Sequence, residues 1–157
     1  MYISHTFYRL LIVISFLFIS VSLLAEPTLE EVVVSARKVD ESVQDVPIAM
    51  SVFTASDIDD AGIERPEDFI ALTPNVVMAN TVNVGDTLVT IRGLTSTRDA
   101  ESNFAFVVDG VLQTNPNAFN RELLDIAQIE VLKGPQGALY GRNATSGAIL
   151  ITTKAPS

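Results

Sequence analysis

Cysteine is absent from this sequence, and its one histidine, His5, lies in a segment that reads as a cleaved leader. With both residue types missing from the remainder, thiol nucleophiles, thiolate metal sites, His-ligated zinc and Ser-His-Asp triads are excluded together. Positive charge is also scarce: Lys and Arg number 10 against 19 Asp and Glu, and every acid lies after Ala25. No basic arm or patch stands out, which argues against nucleic acid, whose phosphates demand clustered cations. An enzyme would have only carboxylates to work with, and no suitably spaced pair presents itself. What the chain does have is Val, Ile, Leu and Ala in quantity, enough to bury a core without disulfides.

The leader is legible from its order. Arg9 precedes an apolar run, Leu10 to Leu24, and small residues offer cleavage after Ala25 or Ser22. That run is shorter than the roughly 20 residues a membrane span needs, so residues 1–25 are expected to be a secretory signal peptide. Residues 26–46 are polar, charged and turn-prone, and are expected to form a flexible N-terminal segment. Residues 47–157 are expected to form one domain.

Within that domain, Pro47 to Phe53 reads as a strand. Thr54 is placed to cap a short helix that ends at Gly62, and Pro66 fits the first turn of a second helix, stopped by Thr73-Pro74. Leu88 to Ile91 alternates as a strand and runs into RGL. FAFVVDGVL reads as a hairpin about Asp109-Gly110. RELLDIAQ suggests a short helix, IAQIEVL a buried strand and AILITTK a last strand. Short helices among strands without regular alternation imply an α+β fold: a small mixed sheet with short helices and long loops. No fixed-period repeat or low-complexity tract interrupts it.

Three stretches invite chemical readings. Asp57, Asp59, Asp60, Glu64, Glu67 and Asp68 are dense enough to suggest calcium, but the spacing about Gly62 does not fit a calcium loop; solvated helix faces are the better reading. GPQGALYGRNATSGA has the glycines of a phosphate loop without its Gly-Lys-Ser/Thr ending. Asn143-Ala144-Thr145 spells a glycosylation site without the context. The triple valine in EEVVVSARK is a different matter. It can be an ordinary buried strand, or a strand that lacks a partner in its own chain and awaits one outside it. The residues alone leave both open.

Taken together, EEVVVSA, QDVPIAMSVFTASDI, the IRGL from Ile91, the VDGV from Val108 and the long block DIAQIEVLKGPQGALYGRNATSGAILITTK resemble the plug domain of TonB-dependent outer-membrane receptors. The resemblance spans essentially Glu30 to Lys154. It implies a non-enzymatic gate, with no cofactor or metal, seated in a transmembrane β-barrel of a Gram-negative outer membrane, its N-terminus in the periplasm. It places a TonB box at Glu31, Val32, Val33, Val34, Ser35 and Ala36, captured by TonB through strand addition. It assigns contact with barrel glutamates to Arg92 and Lys133, lysine standing where the family usually has arginine. Ser146 and Leu150 depart from a common glycine and a common polar residue, and are expected to be local repacking.

Loops 81–86, 95–103 and 113–120, with Asn83, Arg98, Asn103 and Asn115, are the expected ligand-facing positions. The ligand class, whether siderophore, cobalamin or oligosaccharide, is not legible. No barrel follows in the sequence, whose spanning strands would each need about 9–11 residues, so the chain reads as a plug truncated before its barrel. A free-standing periplasmic binding module that meets TonB or a separate barrel is the alternative.

Overall fold

The computed structural model describes residues 31–80, 87–96 and 101–156; the expected signal peptide lies outside them. Two short strands come first, β1 (Val33–Val34) and β2 (Glu41–Ser42), paired antiparallel. Next come β3 (Met50–Thr54), α1 (Ala55–Ala61) and α2 (Pro66–Ala71). β4 (Val76–Asn80), β5 (Thr87–Ile91) and β6 (Leu94–Thr95) form an antiparallel sheet of three strands. β7 (Phe104–Val108) and β8 (Val111–Leu112) are a hairpin, followed by a 3-10 turn at Pro116–Ala118. β9 (Ile126–Lys133), α3 (Gly137–Tyr140) and β10 (Gly147–Thr153) complete the order.

The main sheet runs β3-β9-β10-β7-β8, with β10 parallel to β7 and antiparallel to β9. Its strands alternate faces with period two, and this divides the apolar residues into two cores. Phe104, Phe106, Ile129, Val131, Ile149 and Ile151 face a core completed by Ile58, Phe69, Val89, Ile91 and Phe119. Phe119 stands at its centre, with ring centroids 5.1 Å from both Phe104 and Phe106 in edge-on contact. Ala105, Val107, Leu132, Ala148 and Leu150 face the other way, and there they meet Val34, Ala36, Val46 and Ala144. The N-terminal segment therefore closes the second core. Residues Val32–Ser157 accordingly gather into one compact unit.

Local chemistry sets the boundaries. Thr54 caps α1 reciprocally: its N–H donates to Asp57 Oδ2 at 2.8 Å and its hydroxyl accepts from the Asp57 N–H at 3.3 Å. Asp68 does half of this for α2, accepting from the Arg65 N–H at 2.8 Å. Two members of the dense acidic stretch are thus engaged at helix starts, where the positive end of the dipole favours them. Asp109 (φ 47) and Gly110 (φ 78) are both left-handed, as a two-residue hairpin turn requires.

One expected helix is not there. Arg121–Asp125 forms no helix. The Leu123 N–H donates instead to the Glu64 carbonyl at 2.8 Å, Arg65 reaches Glu122 at 3.1 Å, and Asp125 takes a left-handed φ of 52. Partners from a distant part of the chain override the local helical preference. The strand expected from Pro47 begins three residues later, at Met50.

Candidate functional site

The triple valine does have a partner in its own chain. Val33 pairs with Ser42 and Val34 with Glu41, after a reversal in which the Lys38 N–H donates to the Ser35 carbonyl at 2.8 Å. Of the two readings that the residues left open, the strand paired within its own chain is the one observed. Of the residues expected to form the box, Val34 and Ala36 are fully buried, while Glu31 and Val33 are exposed, Val33 at 49%. Val32 packs at the edge of the same core.

Three side chains hold the segment from below. On β9, residues Gln128, Glu130 and Leu132 share the face toward the second core. Gln128 Nε2 donates to the Val33 carbonyl at 3.0 Å. The Ser35 N–H donates to Glu130 Oε1 at 3.0 Å. The Tyr140 hydroxyl, on α3, donates to the Ala36 carbonyl at 2.9 Å. Glu130 is only 2% exposed, and its Oε2 has no partner among the described residues. Burial pushes its carboxyl above the usual range, against the pull of the Ser35 N–H, and the nearby Asp40 pushes the same way. Burial likewise raises the Tyr140 phenol, with Glu130 adding to it. Lys38 lies over the Tyr140 ring, 5.6 Å from its centroid.

Sequence reading did not single out Gln128, Glu130 or Tyr140. A signal existed for the first two. IAQIEVLK puts a carboxylate in the middle of an apolar strand, two residues from a Gln, so both polar groups had to face one side.

The two expected barrel-contact cations come together. Ile91 pairs with Leu94, leaving Arg92-Gly93 as a two-residue turn with φ 51 and 81. A left-handed arginine is uncommon. Here the Arg92 N–H donates to the Asn75 carbonyl at 2.9 Å, which helps hold it. Its guanidinium reaches the start of the next motif: a Cβ on Gly134 would stand 3.0 Å from Arg92 Nη1. Lys133, the preceding residue, donates from Nζ to Ser51 Oγ at 3.0 Å. Desolvation lowers the Lys133 pKa, and the Arg92 charge lowers it further. Neither cation makes a salt bridge to a carboxylate among the described residues. The motifs RG and KG thus meet at one spot with an excess of positive charge.

The residues expected to face a ligand fall differently. Asn83 and Arg98 lie outside the described residues. Asn103 is engaged internally: its Nδ2 donates to the Leu94 carbonyl at 3.2 Å, and its Oδ1 accepts from Ser96 Oγ at 2.7 Å. Ser146 adds to this brace, its hydroxyl 3.1 Å from the Asn103 carbonyl and 3.2 Å from Asn103 Oδ1. Ser146, just before β10, is therefore a polar tie to the loop before β7, more than a space-filling change; Leu150 is simply core. Asn115 is exposed and accepts from the Asn117 N–H at 3.0 Å, starting the 3-10 turn.

The family model described as TonB-dependent Receptor Plug Domain matches residues 42–148. The pesticin receptor of Yersinia enterocolitica is 31% identical over 132 residues, covering 83% of this chain and 19% of the receptor. The vitamin B12 transporter BtuB of Vibrio vulnificus is 31% identical over 137 residues, covering 83% of this chain and 22% of the transporter. Among solved structures, the ferric yersiniabactin uptake receptor FyuA from Yersinia pestis superimposes with a TM-score of 0.64 at 31% identity. That match covers 70% of this chain and 17% of the receptor. The chain thus spans about a fifth of the length of these relatives. The family model spans more than half of the chain, and the chain belongs to the TonB-dependent receptor plug domain family.

Proposed function

We propose that this plug is the gate of an energised importer in the outer membrane of a Gram-negative bacterium. Its Glu31–Ala36 segment is the box that TonB captures, and Arg92 and Lys133 hold it to acidic residues of a surrounding β-barrel. The observation that carries the reading is the meeting of those two cations. Like charges brought together without a described carboxylate are unfavourable in isolation, and the arrangement suits a surface that an acidic wall will face. Lysine at 133 supplies the charge without the bidentate fork of arginine, so Arg92 is the stronger half of the contact.

The work of the gate is mechanical. TonB adds a strand to the box and pulls, the plug rearranges, and a ligand held outside passes. The names of the relatives point to iron–siderophore complexes and vitamin B12 as ligand classes, with oligosaccharides a further class. The 113–115 stretch, with Thr114 and Asn115 exposed, is the described loop best placed to meet such a ligand; Asn83, Arg98 and the partly exposed Asn103 belong to the same proposal.

The test is uptake in the native cell. Deleting residues 31–36 is expected to abolish energised accumulation of labelled ferric siderophore or cobalamin while surface binding persists. Undiminished accumulation would overturn the reading. A protein of plug size in the periplasmic fraction, with none in the outer membrane, would favour the free-standing module instead.

A further inference from the structure

Strand addition needs a free backbone edge. Along β1 the backbone groups alternate sides. The Val32 carbonyl accepts from the Val43 N–H at 3.0 Å, so one edge belongs to β2. Val33 and Ser35 present their groups on the opposite edge, and there the Val33 carbonyl and Ser35 N–H meet Gln128 and Glu130. Tyr140 pins the chain one residue on, at the Ala36 carbonyl. Each edge of the segment thus has partners within the chain.

We infer that Gln128, Glu130 and Tyr140 form a latch that keeps the box closed to an incoming strand, and that capture requires these three side chains to let go. The inference rests on the reading of Glu31–Ala36 as the box. An apolar residue at position 130 would fit the core formed by Leu132, Ala148 and Leu150. The chain instead keeps a buried carboxylate with one oxygen unpaired among the described residues, which a packing role alone does not call for. Such a group makes a contact that is specific yet readily released. Room for release is present: a groove of about 670 Å³, lined by Ser35, Lys38, Asp40, Tyr140 and Leu150 among others, runs beside the segment. The box can swing out there without parting the strands of the main sheet.

The latch is tested on the full chain with Glu130→Ala, Gln128→Ala and Tyr140→Phe, by amide hydrogen exchange of residues 32–36 and by titration with purified TonB. Exchange at Ser35 is expected to accelerate about tenfold or more in Glu130→Ala, and box exchange about fivefold in the other two, as the loss of one hydrogen bond each implies. TonB affinity should rise by similar factors. If Glu130→Ala does not fold, the two milder variants carry the test. Unchanged box exchange in folded variants would overturn the latch. Faster exchange with unchanged TonB affinity would overturn its role in gating capture. Faster exchange with no TonB binding by any protein, the parent included, would instead overturn the box reading and leave the closed seat standing.

Discussion

The Ser35 backbone amide donates to the Glu130 carboxylate at 3.0 Å, joining the N-terminal segment to the middle of β9. One carboxylate oxygen accepts this bond, and the other has no partner among the described residues. The group is thus both a partner for the N-terminal segment and a source of instability beneath it.

Glu130→Gln should therefore stabilise the domain at neutral pH, since it keeps an acceptor for Ser35 and removes the buried charge. The sign follows from the raised pKa of Glu130. A carboxyl raised in the fold contributes most favourably below its unfolded value, and that contribution is lost as pH rises through the folded value. Denaturation followed between neutral pH and the ordinary glutamate range should show the parent gaining stability on acidification relative to Glu130→Gln. Equal pH dependence would contradict this.

Asp57 titrates in the opposite sense. Its bonds to the Thr54 side chain and then its backbone hold it below the usual range. Its contribution is present above the unfolded value and is lost as pH falls through the folded one. Thr54→Ala is expected to cost about 1 kcal/mol in denaturant titration, a typical capping loss, and to flatten that acid dependence.

How much of this was readable beforehand differs by element. Thr54, Gly62 and Pro66 carry their instructions locally, so both helices were legible, as was the Asp109-Gly110 hairpin. Arg121–Asp125 misled because its conformation is set by Glu64 and Arg65, more than fifty residues away in the chain. The pairing of Val33-Val34 was left undecided for a related reason. Glu41-Ser42 has poor strand propensity and is held in place by the reversal and by the core beneath. The resemblance assigned Arg92 and Lys133 to a barrel wall without foretelling that the RG and KG turns meet, and the contacts beneath the N-terminal segment needed the period of β9 combined with knowledge of what covers that face.

Gly134 is where the two cation motifs touch. At φ 115 a side chain is strained, and a Cβ would press on the Arg92 guanidinium at 3.0 Å. Gly134→Ala is expected to destabilise the domain by about 1–3 kcal/mol and to displace Arg92. An unchanged melting temperature would contradict both effects.

Phe119 anchors the 113–120 loop by its ring. Replacing it with alanine removes three edge-on or near edge-on aromatic contacts, to Phe69, Phe104 and Phe106. The expected cost is about 3–5 kcal/mol, measured by chemical denaturation, with the loop losing its fixed position. A cost under about 1 kcal/mol would mean the core collapses around the vacancy.

The central claim is that Glu31–Ala36 is captured as a strand. Val33→Pro tests it most directly, because proline removes one backbone donor and resists ladder geometry. Binding of purified TonB to the full chain and to this variant would be measured by calorimetry, with circular dichroism to verify that the domain stays folded. The account predicts binding by the parent and none by the folded variant. Equal binding by both would contradict capture by strand addition.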